Sequence, residues 1–284
     1  MSNYAPLLAN SSDLATVLKV ADADDLCVLA DYITDNGEGR LSLDSDVNKK
    51  LSGCSKHKMF IQTDRNLIAQ EILLFGGNTV ANLYRSLFSS SSTITYLELV
   101  QDVAKKVSAP FAEGDALQDI EQAVLFRIFH QALEKMSDDE RKRVLADMGI
   151  SSFSSLRGLG VGAAAGSAVG AALAVAQLNV AGMVATAVST QMIGRAVGSA
   201  AAFAGSRSAA LLAGPIGLAV GALWTLADLS SPAYRVTLPC VVQVAYMRQK
   251  YLAALNSNKC PSCAAENAPR AKFCSECGKS LAKV

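Results

Sequence analysis

The residues best placed to do chemistry lie near the C-terminus, where Cys260-Pro261-Ser262-Cys263 and Cys274-Ser275-Glu276-Cys277-Gly278 form two Cys-x-x-Cys knuckles. Two residues between cysteines let both sulfurs reach one ion from a single turn, and a second pair completes a tetrahedral four-thiolate shell. A shell of that kind has no open position, so its chemistry is structural rather than catalytic. A redox dithiol would need one pair only. Gly278 eases the tight turn behind the second pair. A module this short has little else to hold it, so metal binding and folding are expected to be coupled. Cys260, Cys263, Cys274 and Cys277 are therefore the expected ligands of one zinc ion, within a module spanning 259–281.

This pattern resembles bacterial zinc-ribbon modules. Lys259, Arg270, Lys272, Lys279 and Lys283 outnumber Glu266 and Glu276, leaving the segment basic. Phe273 is its single aromatic residue, which does not support a stacking platform for single-stranded nucleic acid. The net charge of the whole chain is +1, and nucleic acid is not an expected partner. Docking of a protein partner is the expected use of the ribbon.

The remaining candidate residues form no chemical constellation. Cys27, Cys54 and Cys240 are scattered singly and read as small buried hydrophobes in a reduced, cytoplasmic protein. Asp22, Asp24 and Asp25 sit where a helix start favours acidic groups, a more ordinary explanation than a cation site. Gly76-Gly77-Asn78 could turn backbone amides toward a phosphate, but lacks P-loop or dinucleotide spacing and reads as a tight turn between close helices. His57 and His130 stand alone. With no nucleophile–base pair or open metal site visible, the chain is expected not to be an enzyme.

The elements that carry the ribbon are helical. Leu14, Val17 and Leu18, then Leu26, Leu29, Ala30 and Ile33, are apolar stripes of two short helices within 12–34. The stretch 36–39 is a turn. Helices are expected at 64–75, at a segment capped by Asn78, and at about 95–107 and 116–135. Ser137 with Glu140 forms a capping box for a short charged helix ending near Gly149. A helical domain over 1–150 follows.

The composition changes after Ser151–Ser155. From Gly158 to Gly194 there is no charged residue, and Gly158, Gly162, Gly166 and Gly170 form a small-xxx-small stripe on which another backbone can pack closely. Stretches 158–176, 178–194 and 208–227 are long enough to span a bilayer. In the first, Leu159, Val161, Val169, Leu173 and Val175 favour insertion by only roughly 1.5–3 kcal/mol together. Arg157 and Arg195 bracket the first two stretches, as in a hairpin turning at Gln177–Asn179 with both arginines on the cytosolic side. Three full spans would carry the thiolates out of the reducing compartment. The region 156–255 is thus expected as glycine-zipper apolar helices, with Pro239 opening the helix that contains Val241 to Leu255. Tyr234 and Arg235 are expected to anchor the crossing before it. The segment Met1–Leu8 lacks the features of a secretory signal.

Gly214-Pro215-Ile216-Gly217, Leu223-Trp224-Thr225 and 232–239 resemble the uncharacterised bacterial YaaW family, as do Phe75-Gly76-Gly77-Asn78, 81–85 and 133–137. The similarity runs through about residues 13–250, and the ribbon is an addition to it. Part of that family's N-terminal half is similar to the helical ubiquinol–cytochrome c chaperone fold. The resemblance implies a mainly α-helical protein and brings no catalytic residues. An all-α protein in three parts is expected. The preferred reading is a cytoplasmic protein associated with the inner membrane or conditionally inserting into it. Its partners would be membrane lipid, a protein docked on the ribbon, and further copies packed through the zipper. The alternative is a soluble helical scaffold or chaperone-like adaptor.

Overall fold

Leu14–Val20 (α1) and Ala23–Thr34 (α2) are the two short helices that the apolar stripes predict, and all seven stripe residues are buried. Asp13 and Asp22 cap them, each side chain accepting an amide hydrogen bond that the first turn would otherwise leave unpaired. Asp35 and Asn36 take left-handed conformations and turn the chain. Then come α3 (Ser45–His57), α4 (Gln62–Gly77), α5 (Tyr96–Val107), α6 (Leu117–Glu134), α7 (Asp138–Asp147), α8 (Ala168–Ile193) and α9 (Tyr234–Asn256). The capping box of Ser137 and Glu140 forms as expected. The sequence reading assigned no helix to α3, which buries only Leu51 and Ser55 and so has a weak apolar stripe.

This computed structural model describes residues 13–77, 94–147, 168–194 and 233–256, and in the C-terminal module 258–260, 262–263, 265–267 and 271–281. Asn78, the glycines at 158, 162 and 166, and the stretch 208–227 lie outside the described residues. The fold class is all-α, with a two-stranded pairing confined to the module among the described residues.

α9 lies at the centre. It packs against α1, α2, α4, α5, α6 and α8. From Val236 to Met247 each of its residues is buried, as expected of a helix enclosed by protein on all sides. Among the described side chains of α8, Val180, Ala181, Val184, Ala185, Ala187 and Val188 are buried against α9, α6 and α2. One apolar cluster takes in side chains from α1 through α9. Side chains from before residue 148 and after residue 176 share that cluster.

Two local expectations are corrected. Gln177–Asn179 is not a hairpin turn but part of the continuous helix α8. Neither glycine nor proline interrupts the helix there, and propagating a formed helix is easier than nucleating a new one. Residues 234–239 are likewise helical, and α9 opens at Tyr234 with Pro239 inside it. The hydrogen bond that this proline cannot donate would have gone to the carbonyl of Arg235, an exposed residue. Thr237 Oγ1 reinforces the first turn by donating to the Ala233 carbonyl at 3.1 Å. Among the described residues no helix is long and apolar enough to cross a membrane.

Two polar networks fasten α9. Arg248 is fully buried and its Nε donates to Glu121 Oε2 of α6 at 2.7 Å. Tyr96 of α5 donates its hydroxyl to Glu121 Oε1 at 3.0 Å, and burial, with the adjacent carboxylate, pushes the phenol well above its usual range. Lower on α9, Lys250 Nζ donates to Asp22 and, at 2.7 Å, to Asp25. Tyr251 donates to Asp25 at 2.8 Å and accepts from the Asp22 amide. Gln243 Nε2 donates to the other Asp25 oxygen at 3.1 Å.

Candidate metal centre

The C-terminal module begins two residues after α9 ends. β1 (Asn258–Lys259) and β2 (Glu266–Asn267) pair antiparallel, and the first knuckle is the turn between them. The Cys260 amide donates to the Ala265 carbonyl at 2.9 Å. The second knuckle repeats the arrangement, with the Cys274 amide donating to the Lys279 carbonyl at 2.8 Å and Phe273 bridged to Ser280. Gly278 has φ of +68°, a left-handed conformation that glycine adopts without a Cβ penalty.

These two turns bring together all four cysteines that the spacing singled out. Their sulfurs lie within 4.8 Å of one another. Cys260 and Cys277 sulfurs are 3.4 Å apart, and those of Cys263 and Cys274 are 3.5 Å apart. A tetrahedral zinc ion with bonds of about 2.3 Å sets its sulfurs about 3.8 Å apart, so the cluster has the size of one such ion. Cys260 and Cys274 are buried, Cys263 and Cys277 exposed. Leu281 completes the small buried centre, with Ala265 and Ala271 against it.

The backbone prepares the sulfurs unequally. The Cys277 amide, helped by that of Glu276, holds the Cys274 thiol down to about 6. The Ala265 amide favours the Cys263 thiolate, but the sulfurs of Cys277 and Cys274 outweigh it and push this thiol up to about 12. Four thiolates this close repel one another, and a bound cation is what lets all of them ionise together.

Asn267 is a residue that the sequence reading missed. Its Oδ1 accepts from the Ser275 amide at 2.7 Å, while its Nδ2 donates to the Ala265 carbonyl at 2.9 Å and approaches Cys274 Sγ at 3.6 Å. One side chain thereby ties both knuckles together and supports a ligand. The available signal was a short amide side chain between the pairs, a type that readily bonds nearby backbone groups.

The other candidates have structural partners. Asp22 and Asp25 hold Lys250, and Asp24 pairs with Lys58 at 2.7 Å. A Cβ on Gly76 would come within 2.6 Å of Leu99 Cδ1, so this glycine permits the close approach of α4 and α5. Lys106 lies 5.0 Å from the centre of the Tyr234 ring. His57 is exposed, and His130 lies 3.3 Å from Glu134. Cys27 and Cys240 are buried, and burial pushes the Cys240 thiol up; Cys54 is only half-buried.

A helical body followed by a four-cysteine knuckle pair defines a ribbon-bearing all-α protein, and the family model of the zinc-ribbon domain matches residues 259–281. The chain belongs to the UPF0174 family, of which YaaW is a member. A UPF0174 protein of Helicobacter pylori J99 is 31% identical over 187 residues, 64% of this chain and 87% of the relative. One from H. pylori 26695 is 29% identical over 186 residues, again 64% and 87%. The UPF0174 protein YaaW of Escherichia coli K12 is 25% identical over 247 residues, 84% of this chain and 94% of its own. No solved structure matches the chain.

Proposed function

We propose that the protein is a non-enzymatic, cytoplasmic scaffold in which a helical body presents a structural zinc ribbon that docks a protein partner. The observation that carries this reading is the closed sulfur cluster. With all four cysteines converging within 4.8 Å, a tetrahedral ion has no position left for substrate or water. The use of the module then lies on its outer surface, and Zn2+ serves to hold that surface in shape.

The test pairs zinc analysis of the purified full chain with affinity co-purification from its native cell. One zinc per chain is expected, together with a partner that is lost in the Cys260→Ser, Cys274→Ser variant. Absence of zinc, or a partner set unchanged in that variant, would sink the reading.

A second reading, conditional insertion into the inner membrane with oligomers packed through the 158–170 glycine stripe, draws its support from the uncharged, leucine-rich stretch 208–227. Against it, the second half of α8 is covered by α9, α6 and α2, and insertion of that half would have to break this packing. Fractionation of the untagged protein separates the two. Retention in the membrane pellet through carbonate and high-salt washes would replace the scaffold by an inserted protein, whereas recovery in the soluble fraction removes the membrane reading.

A further inference from the structure

The two knuckles leave two of their four cysteines open to solvent. Cys260 and Cys274 are 3% and 4% exposed, whereas Cys263 and Cys277 are exposed. The small buried centre of Cys260, Cys274 and Leu281 does not cover them. The 3.4 Å sulfur contact joins exposed Cys277 to buried Cys260, and the 3.5 Å contact joins exposed Cys263 to buried Cys274. Both contacts run from one knuckle to the other. A disulfide bond is about 2.05 Å long, so each pair has to close by roughly 1.4 Å. Thiolates rather than thiols react with oxidants, and the loaded ribbon holds all four sulfurs in that form. The cysteines of the helical body are less available. Cys27 and Cys240 are buried, and burial with the Asp64 carboxylate pushes the half-buried Cys54 thiol up.

We infer that the ribbon is a reversible oxidation site for hydrogen peroxide, closing disulfides across its knuckles between Cys277 and Cys260 and between Cys263 and Cys274. The inference rests on the zinc-holding reading of these cysteines and adds a way to switch off the surface that they keep in shape. In each pair the exposed thiolate attacks one peroxide oxygen; an S–O bond forms, the O–O bond breaks and hydroxide leaves. The buried thiolate then attacks the resulting sulfenic acid at sulfur; an S–S bond forms and a second hydroxide leaves. Four thiolates and two peroxide molecules thus give two disulfides and four hydroxide ions. Each closure withdraws two ligands, and after both none of the four thiolates is left to hold a cation. A dithiol reductant reverses the change, because oxidation stops at the disulfide.

The experiment titrates the zinc-loaded full chain with hydrogen peroxide, follows released zinc with a chromophoric chelator, and maps the sulfurs by mass spectrometry after alkylation. Trypsin cuts after Lys259, Arg270, Lys272 and Lys279 and so separates the knuckles into peptides 260–270 and 273–279. Release of all the zinc is expected at about two equivalents of peroxide per chain. The two peptides should then run as one disulfide-linked species, whose fragmentation joins Cys260 to Cys277 and Cys263 to Cys274. Dithiothreitol and added zinc should restore the starting zinc content. Cys263→His with Cys277→His replaces both exposed sulfurs by other zinc ligands and should slow release at least about tenfold. If this variant binds no zinc, the wild-type map decides alone. Three results overturn the inference: zinc retained through the titration, a disulfide inside each separate knuckle peptide, or oxidation of Cys54 ahead of the ribbon. A wild-type chain that never holds zinc defeats the zinc reading itself, and this inference with it.

Discussion

The helical body buries long stretches of two of its own helices. From Val236 to Met247 every residue of α9 is buried, and α8 contributes Val180, Val184 and Val188 to the same cluster. The ribbon has Cys260, Cys274 and Leu281 as its buried centre. At roughly 25 cal/mol per Å2 of apolar surface, the body can draw its stability from burial, while so small a centre cannot offset the entropy of ordering the chain. Polar groups divide the same way. In the body, Arg248 and Glu121 neutralise each other inside an apolar cluster; in the ribbon, four like-charged ligands converge and need a cation. Where a core is large, ion pairs are embedded in it, and where a core is nearly absent, coordination has to replace it.

The largest effect expected is therefore loss of the metal. Chelation, or Cys260→Ser with Cys274→Ser, should unfold residues 258–281 and leave the helical circular dichroism nearly unchanged. Structural zinc in small modules carries about 10–16 kcal/mol of folding-linked free energy near neutral pH. Limited proteolysis locates the loss, and melting of the helices along with the ribbon would break the contrast drawn between the two regions.

The buried ion pair is the next largest. Arg248→Met alone strands the Glu121 carboxylate, at an expected cost of about 3–5 kcal/mol in urea unfolding of the helices. Arg248→Met, Glu121→Leu and Tyr96→Phe together should recover most of that, because no buried charge or unpaired hydroxyl remains. A triple variant as unstable as the single one would mean the network itself, rather than the avoidance of a stranded charge, stabilises the body.

Asn267→Ala should weaken metal affinity by about 10–100-fold, measured in competition with a chromophoric chelator, without shifting the urea midpoint of the helices. The smallest effect concerns pH. Burial would raise Asp22, but the Lys250 hydrogen bond and the Asp25 amide outweigh it and hold it below 3.8. Its contribution is present above that value and lost as pH falls through the lower folded one. Asp25 works in the opposite sense. Burial raises it above 3.8 despite Lys250, so stability falls as pH rises through the raised value. Asp25→Asn should flatten that fall and Asp22→Asn should remove the acid-side loss, each by about 1 kcal/mol or less in midpoints measured across pH.

Much of this architecture was legible before any coordinates. The four cysteines converge because metal geometry is local: two intervening residues fix each knuckle, and the second knuckle follows from the first. The stripes of α1 and α2 and the Ser137–Glu140 capping box are equally local, since a neighbour three or four residues away decides them. The weakly patterned α3 escaped notice for the converse reason, having almost no apolar stripe to read.

The stretch 178–194, long enough to span a bilayer, was ambiguous on physical grounds. A helix apolar on every side suits lipid and protein interior alike, and its sequence carries no face from which to tell them apart. Only the placement of α9 among six other helices, with α8 packed beside it, shows that Val180, Val184 and Val188 face protein. The same placement joins Glu121 to Arg248 across 127 residues of chain and Asp25 to Tyr251 across 226. Local periodicity and spacing hold no record of such pairings, because they exist only once the chain has brought distant helices together.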